Sequence, residues 1–465
     1  MNESYSDMKA LRSQFISSDK ENNRIHFHWD LTEEQVNSTN EIVSEILSND
    51  PDIVKKALED FISQLKLLSN KVVGFLHIRH IQRIIELLNH NDFYALSLNI
   101  LSQIREGFYS QMLIDFNFLS YGVKFLNQNN SIYALYSIII ITNNSIISDE
   151  FRNAAFEQKV FHKIKECKII DLETIAWSLK SALEKEPYIL NIQEEIPRML
   201  IEISEDPENC LARSYAIEAF NLLESRGYYE YRHIILENRY IYVLTDVCNT
   251  DEEYKKEALE VISYCCNCGN ECLVQIFNYD TINIFSEIIN TNKDDDYMIC
   301  FTNFLTNSLF NSDDMYVSNL VKRFCNQNLG NLFINHSSII YPKAAATIQR
   351  LFNATTNPEL IANALTPNLI INLSDLLFIN NYVYSEDGSV TLNVLYIFEN
   401  ILTKLIVLSS THPILQNVVM ILTEVVQKEE YFKLMYDDTE NDNDDVHKNA
   451  IILKKMVEDL LPKEV

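Results

Sequence analysis

The sequence predicts an all-α protein, a right-handed superhelical solenoid of stacked helical repeats, and three observations carry that prediction. Glycine and proline are scarce, 7 and 9 residues in 465, too few turn formers for an all-β fold and no basis for a glycine-rich phosphate loop. Apolar residues make up 47% of the chain and recur at helical spacing, three and four apart rather than alternating. The ends of the long apolar-periodic segments recur every 33 to 47 residues, about 41 on average, a period typical of stacked helical units.

Those ends share a small-residue pattern. They read "LSN" at Asn70, "LSQ" at Gln103, "ITN" at Asn143, "LKS" at Ser181, "LES" at Ser225, "ISY" at Tyr264, "LTN" at Asn307, "LFN" at Asn353 and "FEN" at Asn400. Within most periods the order is a short helix, a second helix, then a long third one, as in "RYIYVLTDVCNTDEEYKKEALEVISYC" from Arg239. A polar knot with Asn or Asp closes each second helix, where its side chain is placed to accept the free N–H groups of the helix that follows. One unit cannot bury its apolar faces alone, so the units must stack around a shared core. The organisation expected is a polar, partly disordered segment over 1–40, about nine repeats over 41–436, and an acidic loop with a capping helix over 437–465.

A formal charge of -28 repels nucleic acid and anionic lipid and favours basic partners. The apolar runs "ALYSIIII" and "VLYIFENILTKLIVL" are too short or too interrupted to span a bilayer, which takes about 18 apolar residues or more. Nine cysteines without a secreted spacing point to a reducing compartment, the cytoplasm or the nucleus. In "YCCNCGNEC" Cys265 and Cys268 form a C-x-x-C, but no second ligand pair follows at zinc spacing. His77 and His80 share a helical face without a carboxylate in general-base geometry, and no nucleophile elbow, phosphate loop or dinucleotide fingerprint occurs. No enzyme activity, metal or cofactor is expected.

Three helices per period and the segment "IVSEILSNDPDIVKKALEDFISQL" at 42–65 resemble the armadillo repeat, and the third helices "IAWSLKSAL" and "FTNFLTNSL" resemble those of importin-alpha. The resemblance covers roughly 41–430. It implies a concave groove lined by third helices, in which Asn side chains hold the main chain of an extended peptide and a Trp one turn earlier stacks on basic side chains. Carried over position by position, the Asn places are Asn70, Asn143, Asn307, Asn353 and Asn400, with Gln103 as a longer amide and Ser181, Ser225 and Tyr264 as departures. The Trp places are Lys66, Asn99, Ile139, Trp177, Asn221, Glu260, Asn303, Gln349 and Tyr396, so Trp177 alone matches and Tyr396 is an aromatic stand-in. The amides also suit helix C-caps, and both roles stay open.

The function expected is a non-enzymatic adaptor that binds an extended, basic protein segment in the groove through Trp177, Ser181, Gln103, Asn143, Asn307, Asn353, Asn400 and Tyr396, with Glu224, Glu260 and Glu399 favouring basic side chains. A monomer is expected. The alternatives are an importin-alpha-like nuclear import adaptor and a structural subunit of a larger assembly that uses convex or end surfaces. Against the first, residues 1–40 lack the densely basic carrier-binding segment of that family.

Overall fold

The computed structural model describes residues 31–461 except 105–106, 185–193, 224–230, 238, 252, 280, 292–293, 312–313, 334–339, 356, 379–389, 408–411 and 437–443. Helices account for the regular structure, and no strand occurs among the described residues. Residues 1–30 of the polar N-terminal segment and most of the acidic run at 437–445 lie outside the described residues; 33–40 form the first turns of the helix Glu33–Ile46. Thr32 and Gln35 close a reciprocal capping box there.

Ten long helices form the spine of the fold: α1 (Pro51–Leu68), α2 (Tyr94–Ser102), α3 (Ser131–Ile147), α4 (Leu172–Glu184), α5 (Cys210–Leu222), α6 (Lys255–Cys265), α7 (Asp295–Asn311), α8 (Ile340–Ala354), α9 (Val390–Leu405) and α10 (Asp444–Leu460). Between them run shorter pairs such as Gly107–Asp115 with Phe118–Leu126, and Asn270–Asn278 with Thr281–Thr291. The chain divides into two compact units, Met1–Ser225 and Arg226–Val465. In the first unit α1 to α5 each pack on the next, and in the second α6 to α10 do the same.

Local chemistry explains the corners. Asn130 accepts from the N–H groups of Ile132 and Tyr133 at 3.1 and 3.2 Å, Asp171 from Thr174 at 2.7 Å, and Asp294 from Tyr297 at 3.3 Å. Each of these caps a third helix from the polar knot before it, and so engages N–H groups that the helix itself leaves unpaired. Where a short first helix turns into the second, one residue adopts the left-handed conformation: Asn117 (φ 58°), Lys159 (φ 54°) and Arg239 (φ 51°). Asparagine tolerates that region, whereas Lys and Arg are strained in it.

Neighbouring repeats are also tied by hydrogen bonds. Cys167 lies 3.3 Å from the Leu126 carbonyl, Asn331 donates to Ile289 O at 2.7 Å, and the hydroxyls of Thr245 and Thr281 meet at 2.6 Å. Each link joins residues about one period apart, and each contributes about 0.5–1.5 kcal/mol. The core between them is apolar and dense, with Phe61, Phe118, Phe220, Phe285, Phe301 and Phe304 fully buried. Phe285 and Phe304 stack at 3.9 Å between ring centres.

Candidate functional site

The site expected from the sequence is a line of paired positions, four apart, on successive third helices. The two units treat that line differently. In the second unit all eight positions keep solvent access: Glu260 and Tyr264 on α6, Asn303 and Asn307 on α7, Gln349 and Asn353 on α8, Tyr396 and Asn400 on α9. Their neighbours on the same helices, including Leu259, Ile262, Phe304, Leu305, Ile348, Phe352, Ile397 and Ile401, are buried. The four-residue spacing thus selects one continuous polar face of the third helices in that unit.

In the first unit the line is buried only on α3 and α4, while Lys66 is exposed and Asn99, Gln103 and Asn221 are half-buried. Ile139 and Asn143 are 1% and 4% exposed, and Trp177 and Ser181 are 8% and 5% exposed. Every residue from Ala134 to Ser145 is buried, so α3 is enclosed on all sides. Gln103 is half-buried and ends α2 as its C-cap, with its backbone N–H donating to Ile100 and Leu101. Among the residues with side-chain access on α4 and α5 are Lys180, Tyr215 and Glu218. Lys180 lies over the Tyr215 ring at 5.3 Å and pairs with Glu218 at 2.5 Å and Glu184 at 3.3 Å. The chain's own lysine therefore occupies the aromatic and acidic groups of this stretch. The side chain of Asn70, together with Glu224 and Ser225, lies outside the described residues.

The amides are already engaged on their donor side. Asn143 Nδ2 donates to Ser102 O at 3.5 Å and Asn307 Nδ2 to Ser263 O at 3.0 Å, in each case a carbonyl near the end of the preceding third helix. Asn400 Nδ2 donates to Asn353 Oδ1. Thr306 and Thr347 add a hydroxyl contact at 2.9 Å between α7 and α8. These bonds stitch one third helix to the next.

Between α8 and α9 the line opens into a pocket of about 440 Å³ lined by Gln349, Asn353, Tyr396, Glu399, Asn400, Thr403 and Lys404. Lys404 faces away from neutralising it: its ammonium donates to Phe352 O at 2.5 Å, Thr355 O at 2.7 Å and Asn353 O at 3.3 Å, the carbonyls at the end of α8. That placement complements the negative end of the helix dipole, and burial lowers the Lys404 pKa. Glu399 forms no ion pair among the described residues, and its Oε1 is sealed from solvent without a hydrogen-bond donor. Burial raises its carboxyl to about 7. Asn400 Oδ1 is likewise buried and unpartnered, so the pocket holds two acceptors and no donor for either.

Thr403 and Lys404 were not expected from the sequence. The signal for Lys404 was present, a single cation inside the apolar run "NILTKLIVL", which calls for a buried partner. Elsewhere, His80 is 8% exposed and its Nδ1 accepts from the His77 N–H at 2.9 Å; burial, then the neighbouring His77, lower its pKa. Cys265, Cys266, Cys268 and Cys272 are fully buried, and burial pushes Cys266 up to about 12. Among the described residues no group of three or more His, Cys, Asp or Glu side chains is placed to hold a metal ion, and no helix is long and apolar enough to cross a membrane.

The class that this architecture defines is an all-α solenoid of armadillo type. The chain superposes on an engineered protein of known crystal structure with a TM-score of 0.64 at 16% identity, covering 90% of this chain and 98% of that one. It is similar, with a TM-score of 0.63 at 11% identity, to a chain from a structure of the cadherin and beta-catenin interaction and its phosphorylation switch, covering 90% and 86%. A designed armadillo repeat protein aligns over 58% of this chain and 99% of its own, at 16% identity and a TM-score of 0.35. No protein-family model and no curated protein matches the sequence. At these identities the first two likenesses establish the fold alone.

Proposed function

We propose that the chain is a non-enzymatic scaffold that holds an extended, basic segment of a partner protein along the third-helix face of its second unit, from Glu260 to Asn400. One observation carries this reading. Eight positions carried over from the importin-alpha resemblance are all accessible on four successive helices, among buried apolar neighbours, and the line ends in a pocket with an unpartnered carboxylate. A solvated face with no binding role would pair or hydrate its acids, whereas Glu399 keeps one oxygen, Oε1, shut from water and without a donor. Glu260 lies on the same face and adds negative charge that steers basic segments toward it.

The test is site-specific photo-crosslinking in cell extract, with the crosslinker replacing Tyr396 on the face or Glu287, an exposed residue of Thr281–Thr291. The expected result is crosslinked peptides rich in Lys and Arg from position 396 and not from 287. Equal yields from both positions, or peptides without basic residues, would overturn the reading. In this reading an importin-alpha-like import adaptor is the narrower form. It predicts that a basic localisation peptide binds with an affinity that depends on the buried Trp177.

A second reading has its own observation. On α10 Ile451 and Ile452 are 48% and 37% exposed, and Phe432 and Met420 on the two preceding helices are 42% and 57% exposed. Apolar surface of this kind suits a contact within a larger assembly. Light scattering on wild type and an Ile451→Ser, Ile452→Ser variant decides it: a larger particle that the variant dissociates supports assembly, and a monomer in both removes the idea.

A further inference from the structure

The pocket between α8 and α9 combines three features that belong together: an open concavity on the third-helix face, a carboxylate with one oxygen shut away from water, and a nearby lysine committed to other partners. From this geometry we infer that the pocket is a proton-gated clasp: it accepts a protonated amine or guanidinium from the partner only when Glu399 has given up its proton. The inference rests on the reading of the face above and adds its regulation.

The argument runs from the charges present. Lys404 lines the pocket, but its three hydrogen bonds go to the backbone carbonyls of Phe352, Asn353 and Thr355. Among the helices packed on α9, α8 carries Lys343 and Arg350, Pro358–Ala364 carries Glu359, Pro367–Leu376 carries Asp375, and α10 carries Asp445, His447, Lys448, Lys454, Lys455, Glu458 and Asp459. Among the described residues no cation of this set pairs with Glu399. Tyr431, fully buried and donating to Ala450 O at 2.8 Å, has its pKa raised by burial and then by the charge of Glu399, and it offers that carboxylate no positive charge.

Nothing on the protein side therefore compensates the charge of Glu399, and desolvation holds the neutral acid as a major form near pH 7. A cation seated in the pocket beside the accessible part of the Glu399 carboxylate favours the ionised form. Binding then releases the Glu399 proton to solvent, and no other bond is made or broken. By linkage, affinity follows the ionised fraction.

The experiment uses rhodamine-labelled octalysine as probe, the full chain, and fluorescence anisotropy between pH 6 and pH 8. With a carboxyl at about 7, the affinity of wild type relative to Glu399→Gln should rise about ten-fold from pH 6 to pH 8. Taking the ratio of the two proteins removes the general effect of histidine titration on a cationic probe. Glu399→Asp, which restores the carboxylate, should recover a pH-dependent slope, and Glu287→Gln should match wild type. Parallel pH profiles for wild type and Glu399→Gln, with binding still weakened by Asn307→Ala and Asn353→Ala, would overturn the clasp and leave the face intact. No binding at any pH, or binding indifferent to those two substitutions, would overturn the face and the clasp together.

Discussion

Replacing Lys404 with Met isolates one ammonium from its aliphatic stem. The stem stays packed, while the charge that caps the end of α8 is removed. That charge donates to three carbonyls, two at 2.5 and 2.7 Å and one at 3.3 Å. A hydrogen bond to a charged group contributes about 1.5–3 kcal/mol, and a cation at a helix C-terminus up to about 2 kcal/mol in partly buried geometry. Burial of the ammonium opposes these gains, as the lowered pKa of Lys404 shows. What remains is the cost of leaving those carbonyls without a donor, about 1 kcal/mol net, or about 2–4 °C in the midpoint of a domain of this size. Thermal denaturation followed by circular dichroism measures the loss, and hydrogen exchange locates it, with faster exchange confined to amides near the end of α8. An unchanged midpoint with unchanged exchange there would refute the reasoning, because the three carbonyls would then need no cation.

Other consequences can be measured on the same protein. Glu399 has a folded-state pKa near 7, above the ordinary value of 4.5, so its contribution to stability is full below 4.5 and is lost as pH rises through 7. Glu399→Gln should therefore melt above wild type at pH 8 by an amount of about 1 kcal/mol after solvent screening, with the gap closing by pH 5; a gap independent of pH would remove the carboxyl as its cause. Of the nine cysteines only Cys210 is exposed, so Ellman's reagent should titrate one thiol quickly in the native protein and nine in denaturant. Arg239 holds a left-handed backbone at φ 51°, and Arg239→Gly should relieve that strain and stabilise by about 0.5–1 kcal/mol in urea unfolding; a destabilised variant would show that the side chain of Arg239 contributes more than the backbone costs.

The architecture was legible because its signals are local and repeated. Helical periodicity, polar knots ahead of third helices and a period near 41 residues each act within one unit, and Asn130, Asp171 and Asp294 cap the helices that follow them as their positions imply. The candidate site was legible only where depth follows from the same local pattern. On α6 to α9 the four-apart positions sit on a polar stripe, so spacing predicts access. On α3 the stretch "ALYSIIIITNNS" has no polar stripe, and a helix apolar on nearly every side is enclosed rather than lined up along a surface. The pattern "ITN" at Asn143 and the pattern "LTN" at Asn307 therefore look alike in sequence and differ in depth.

That difference bears on what an amide at the end of a third helix is for. Asn143 and Asn307 both direct their Nδ2 to a carbonyl of the preceding third helix, so the donor half of each amide ties one repeat to the next whether or not water reaches it. Where the neighbouring side chains are bulky, as around Asn143, only that tie remains. Where they leave the face open, as at Asn307 and Asn353, the rest of the amide is presented outward and can meet the main chain of a second molecule. The same amide thus ties repeats together at Asn143 and Asn307 and, under the proposed function, also meets a partner where the face is open, so the residue letters alone do not separate the two roles. Glu399 does separate them, since a carboxylate left unpartnered beside a lysine that caps a helix contributes nothing to stacking. The pocket at α8 and α9 is accordingly the place where mutations that spare the fold should change binding.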